Sequence, residues 1–189
     1  MRRRRPDQRK LAAAWRDVIV ALGYDPQDEH LRDSPRRVAR FLAGWHTLHA
    51  APPKLTSFRD GYDEMVVTAG IRFHSVCAHH GLPFFGTAAV GYVPATRVVG
   101  LSKLARVVDH YARRFQTQER IAVQVATHLM DELRPVGVGV LLRAEHLCMS
   151  MRGIERPGHR TVTSAMRGCF LTKPEARAEF LALANGHGG

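Results

Sequence analysis

The sequence predicts an α+β fold: an antiparallel ββααββ sheet with two helices on one face, preceded by an N-terminal helical arm. Three observations predict it. β-type runs come in two pairs, 64–75 with 86–93 and 136–148 with 160–166. Two helical stretches, opening near Gly100 and Thr117, lie between the pairs. Helical periodicity dominates up to Ala51-Pro52-Pro53, where a breaker sequence stops it. Two hairpins separated by a helix pair give a sheet with helices layered on it. Such a sheet has two open edges and one uncovered face, so the expectation includes self-association.

Each element has its own signal. Residues 1–10 form a basic tail with four consecutive arginines, Arg2 to Arg5, read as a solvated, disordered terminus. Residues 11–53 form the helical region. Within it, 10–22 has helical spacing and stops near Gly23. Asp33-Ser34-Pro35 starts the next helix, with Ser34 suited to cap and Pro35 to the first helical position. Val38, Phe41, Leu42, Trp45 and Leu48 then fall on one stripe, with Arg36, Arg37 and Arg40 off it. Residues 54–189 form the second domain: the first strand pair, helices over about 100–114 and 117–133, the second pair, and a helical tail over 174–185.

Composition narrows the function classes. The chain has 189 residues, 45 % of them apolar, and no apolar run long enough to span a membrane. No secretory signal is evident, so the protein reads as cytoplasmic. Net charge is +11, which suits a polyanionic ligand, either nucleic acid or a phosphorylated small molecule. No groove-reading motif and no aromatic-basic interleaving supports nucleic acid. The three cysteines, Cys77, Cys148 and Cys169, are an odd count for a disulfide framework.

Chemistry concentrates in two short segments. Cys77-Ala78-His79-His80 ends the first strand of the domain, and His146-Leu147-Cys148 ends the third. A Cys and a His three apart can reach one metal from a tight turn. With Cys148 they would supply three of zinc's four tetrahedral positions, which is how catalytic zinc sites are built. His79 and His146 would stand beside the metal as bases, and zinc lowers the pKa of bound water. The pattern leaves three readings: catalytic zinc, structural zinc, or buried thiols with incidental histidines. Cys169 reads as a small buried residue. His46, His49, His110 and His128 read as surface or packing residues on helices, and His187 as part of a disordered end. Gln118-Glu119 opens a helix, where a carboxylate complements the dipole or accepts paired N–H groups from a guanine-like edge. Ser102, Lys103 and Arg106 at another helix start could cradle phosphate. Arg152 follows Cys148 by four residues and can turn back toward the site.

Taken together, these segments resemble GTP cyclohydrolase I. The resemblance is carried by Tyr92-Val93-Pro94, Val99-Gly100-Leu101-Ser102-Lys103, Ala112-Arg113-Arg114, Gln116-Thr117-Gln118-Glu119-Arg120 and His146-Leu147-Cys148-Met149-Ser150-Met151-Arg152-Gly153. It extends upstream through Leu31-Arg32-Asp33-Ser34-Pro35-Arg36-Arg37-Val38-Ala39-Arg40 and Asp63-Glu64-Met65-Val66, and downstream through Thr163-Ser164-Ala165 and Gly168. It covers about residues 10–184. The resemblance implies a tunnelling fold assembled as a decamer with active sites shared between subunits. It implies GTP as substrate, with 7,8-dihydroneopterin triphosphate and formate as products. It makes Cys77, His80 and Cys148 the zinc ligands and His79 and His146 the proton-transfer residues. Gln118 and Glu119 would read the guanine, and Ser102, Lys103, Arg106, Arg152, Arg37 and Arg40 would hold the triphosphate and ribose end. One position departs: Ala78 stands where the family usually has Glu, removing a carboxylate that could orient a site histidine. The competing readings are a paralogue with altered or truncated purine or pterin ring chemistry, and a non-catalytic nucleotide-binding paralogue.

Overall fold

The computed structural model describes residues 5–47 and 50–186. Arg2 to Arg4, Leu48, His49 and His187, on which several expectations fell, lie outside the described residues. The chain divides into two compact units, Met1–Ala51 and Pro52–Gly189.

In the first unit, α1 (Gln8–Ala21) packs with α2 (Ser34–Trp45). The chain turns helical inside the expected tail because Asp7 caps α1, its carboxylate accepting from the amides of Arg9 and Lys10, each at 3.1 Å. At α2 the expected Ser34 cap is absent. Asp33 holds the cap position without a side-chain bond to the helix amides, and the Ser34 hydroxyl donates back to the His30 carbonyl at 3.5 Å. Ile19 and Ala39 are buried, while Val18, Val20, Leu22 and Phe41 remain exposed.

The second unit holds β1 (Ser57–Arg59), β2 (Val66–Cys77), β3 (Pro83–Val93), β4 (Arg97–Val99), α3 (Leu101–Ala112), β5 (Phe115–Gln116) and α4 (Gln118–Leu133). It continues through β6 (Gly137–His146), α5 (Leu147–Ser150), β7 (Arg160–Gly168), α6 (Cys169–Thr172) and α7 (Pro174–Asn185). The main sheet runs β5-β2-β3-β6-β7. Its four long strands are antiparallel, as expected, and only the two-residue β5 is parallel, against the end of β2. β1 and β4 pair separately.

α3 and α4 cover one face. Leu104, Val107, Val108, Ile121, Val125 and Leu129 pack there against Phe73, Phe84, Val90, Val138 and Leu142. The other face is not left uncovered, contrary to the sequence reading. Phe170 of α6 and Phe180 of α7 pack over Ala89, Leu141 and Met166. Gly91 and Gly139 are register partners on β3 and β6, and the Phe180 ring sits directly above them. A Cβ on Gly91 would stand 2.7 Å from that ring, and one on Gly139 2.9 Å. Coverage on both sides explains why β6 reads as an almost continuous apolar run rather than an alternation.

Candidate functional site

The site gathers where β2, β3 and β6 end together. β2 turns into β3 through Ala78 to Leu82. The Gly81 amide donates to the Cys77 carbonyl at 2.9 Å, and the Cys77 amide to the Leu82 carbonyl at 2.8 Å. Gly81 takes φ +69°, a left-handed conformation that glycine adopts without a Cβ penalty. The tight turn brings the Cys77 sulfur to 3.5 Å from His80 Nδ1. β5 braces this end: Cys77 is in register with Gln116, and the Ala78 amide donates to the Gln116 carbonyl at 2.9 Å. The Gln116 side chain is itself anchored, its amide nitrogen donating to the Tyr111 carbonyl at 2.9 Å and to Gln124 Oε1 at 2.7 Å.

Cys148 does not end a strand, as the sequence reading had it. β6 stops at His146, and Leu147–Ser150 makes one helical turn. The Ser150 hydroxyl holds that turn, within 3.1 Å of both the His146 carbonyl and Glu145 Oε1. His146 and Cys148 therefore do not share a strand face. The turn instead carries the Cys148 sulfur back, so that the donor atoms of Cys77, His80 and Cys148 all lie within 4.8 Å of one another.

Those donors fit a metal ion. All three cysteines are unpaired in disulfides. Tetrahedral zinc with sulfur at ~2.3 Å and nitrogen at ~2.0 Å would place two such ligands about 3.5 Å apart. The Cys77–His80 separation of 3.5 Å matches. Burial pushes the Cys148 thiol pKa up, and the neighbouring Cys77 thiol adds to the rise while Arg152 opposes it. A divalent cation reverses that balance, because it stabilises both thiolates at once.

His146 lies beside the cluster and is held on two sides. Its ring stacks on Phe84, with centroids 4.5 Å apart and planes within 3°. Its Nε2 lies 2.8 Å from the Gln118 side-chain oxygen. Burial lowers its pKa, with the charge of Glu119 acting the other way. Glu119 sits exposed in the first turn of α4, and its carboxylate makes no ion pair among the described residues. His79 is exposed next to His80, with rings 6.1 Å apart and nearly perpendicular.

Gln118, expected to read the guanine, is held inside the chain. It is 1 % exposed, and its nitrogen donates to the carbonyls of Leu142 at 3.1 Å and Thr161 at 3.0 Å. Ser102, Lys103 and Arg106 are not brought to the cluster within this chain. They occupy the first turns of α3, which starts just after Val99. The Val99 amide donates to the Tyr92 hydroxyl at 3.0 Å, and Tyr92 lies eight residues along β3 from Phe84. Eight strand residues span roughly 27 Å. Arg152 is near enough for its charge to act on Cys148. Arg37 and Arg40 are exposed on α2 of the first unit, Arg37 pairing with Asp33 at 3.4 Å. Phe84 was missed by the sequence reading, since an aromatic within a strand gives no local signal of a stacked partner. His128 proves to be a packing residue, bonded to the Tyr111 hydroxyl at 3.2 Å and the Pro53 carbonyl at 3.1 Å. His110 is buried in α3, and His46 follows α2 rather than lying on it.

A sheet-end Cys-His-Cys cluster, exposed at His80 and flanked by a held histidine, defines the class: an α+β enzyme suited to metal-assisted hydrolysis. Comparison with known proteins narrows it. The family model for GTP cyclohydrolase I matches residues 11–185, and the chain belongs to that family. It is 47 % identical to GTP cyclohydrolase 1 of Aquifex aeolicus (strain VF5) over 180 residues, covering 95 % of this chain and 98 % of the relative. It is 48 % identical to the protein of that name from Thermobifida fusca (strain YX), covering 95 % and 89 %. Against that of Streptomyces griseus subsp. griseus it is 49 % identical, covering 94 % and 90 %. Among solved structures it is similar to archaeosine synthase QueF-Like in the apo form, at a TM-score of 0.44 and 20 % identity, over 62 % of this chain and 97 % of that one.

Proposed function

We propose that this chain converts GTP to 7,8-dihydroneopterin triphosphate with release of formate, with zinc held by Cys77, His80 and Cys148. The observation that carries the site assignment is the convergence of those three donors within 4.8 Å beside a fixed histidine, in a chain of this family. Zinc, when bound, acts as a Lewis acid that makes water a nucleophile near neutral pH.

The chain's own residues supply the rest. Opening the imidazole ring of GTP requires a proton taken from the attacking water and one given to the departing ring nitrogen. His146 and His79 are assigned these transfers. Hydrolysis of the resulting formamide repeats the same needs and releases formate, after which the freed amine takes part in ring closure. Glu119, exposed and without an ion pair among the described residues, accepts two N–H groups from the guanine edge. Arg152 offsets phosphate charge near the reacting end. Ser102, Lys103 and Arg106 stand at the far end of the sheet, so they are assigned to the active site of a neighbouring subunit. There they bind triphosphate.

The assembly follows from that assignment, and a homodecamer with shared sites is the form proposed. No described helix is long and apolar enough to cross a membrane. A cytoplasmic location is proposed on the unpaired thiols, which suit a reducing compartment. Metal analysis tests the zinc assignment. Purified protein should carry roughly one zinc per chain, and Cys148→Ser should lose most of it. Full zinc retention by Cys148→Ser would refute the ligand set.

A further inference from the structure

We infer that Gln118 is a positioning residue, which fixes the orientation and tautomer of His146 instead of reading the purine. The inference rests on the functional reading above and concerns how its proton-transfer residue is held.

The hydrogen-bond accounting leaves little freedom. The Gln118 nitrogen has two hydrogens, and two carbonyls take them, Leu142 on β6 at 3.1 Å and Thr161 on β7 at 3.0 Å. Carbonyl oxygens only accept. Turning the amide over would set its oxygen against both of them, acceptor facing acceptor. The oxygen therefore faces His146, with Nε2 2.8 Å away. An amide oxygen only accepts, so His146 Nε2 carries the hydrogen. Nδ1 is then the ring nitrogen left to exchange protons with substrate or water.

The ring is fixed in its plane as well. Phe84 stacks on it at 4.5 Å and 3°. Gln118 is anchored to two neighbouring strands and rooted in the first turn of α4, so the imidazole is referenced to three rigid elements. With 1 % of its surface exposed and both donors spent, Gln118 has none to offer a base. Recognition of the purine falls to its exposed neighbour Glu119.

The test is a double-mutant cycle on the metal-loaded enzyme with Gln118→Met, which keeps length and bulk while removing all three bonds. In the parent background kcat for GTP should fall roughly tenfold to a hundredfold, the usual cost of losing a partner that orients a site histidine. KM for GTP and the preference for GTP over inosine triphosphate, which lacks the 2-amino group, should hold. So should the GTP affinity of metal-free protein. In a His146→Ala background the same substitution should leave the residual rate within about twofold, because its effect runs through the missing imidazole. Some loss of thermal stability is expected in both backgrounds, since the bonds from Gln118 to the Leu142 and Thr161 carbonyls are lost. General damage of that kind would slow both backgrounds equally, and equal slowing would overturn the inference. A collapse of the GTP preference with kcat retained would overturn it too, returning Gln118 to base recognition. A parent enzyme that releases no formate from GTP would instead refute the functional reading, and with it this role.

Discussion

Tyr92 shows how a single side chain ties the far end of the sheet to α3. Its ring is 1 % exposed, and its oxygen accepts the Val99 amide at 3.0 Å just before that helix starts. Burial raises its pKa and the amide bond opposes the rise, so the neutral phenol is the form the core holds. Tyr92→Phe keeps the packing but leaves a buried amide without an acceptor, which should cost about 1–3 kcal/mol in a denaturant titration. A change near zero would mean that water replaces the hydroxyl. Residues of this kind were hidden in the sequence, because their partners are backbone groups brought in by the fold. Cys77, His80 and Cys148 were legible as ligand candidates, although the spacing alone also allowed structural zinc or buried thiols with incidental histidines. Gln118 was legible only as a polar residue at a helix start. Its actual partners, the Leu142 and Thr161 carbonyls and His146, are 24 to 43 positions away.

At the scale of elements, periodicity identified everything long. The four long strands, α1 to α4 and α7 all appear, with α7 spanning the 174–185 expected. The short pieces did not: β1, β4 and β5 are two or three residues each, and α5 and α6 four. Segments that short carry no period, and their conformation is set by what they pack against. α5 mattered most, because it moved Cys148 off the strand and onto a turn that faces Cys77. The second face of the sheet was also misjudged. Its cover depends on Phe180 meeting Gly91 and Gly139 across a long sequence separation. Phe180→Ala should therefore destabilise the catalytic unit by about 3–5 kcal/mol, as expected for a fully buried aromatic. Near-native stability would show that α7 contributes little to the fold.

For the whole molecule, Ser102, Lys103 and Arg106 and the Cys-His-Cys cluster lie toward opposite ends of one sheet. Exposed apolar side chains are plentiful: Val18, Val20, Leu22 and Phe41 on the helical unit, Phe115, Val162 and Leu171 on the other. β7 ends the sheet with an open edge. These features suit subunits that complete one another's sites. Co-assembly of Cys148→Ser chains with Lys103→Ala chains should then recover about a quarter of parent activity, since a working site needs one subunit of each kind in the right order. Recovery no greater than the sum of the separate variants would place each site within one chain. The reaction proposed for this fold is zinc-dependent ring opening and closure on GTP, despite Ala78 in the turn of the first ligand pair. An anaerobic assay that reads formate and pterin fluorescence together, with and without a chelator, tests it most directly. Formate and pterin should appear in equal amounts, vanish with the chelator and return with added zinc. Turnover indifferent to the chelator, or a formamide that accumulates with neither formate nor pterin, would contradict it.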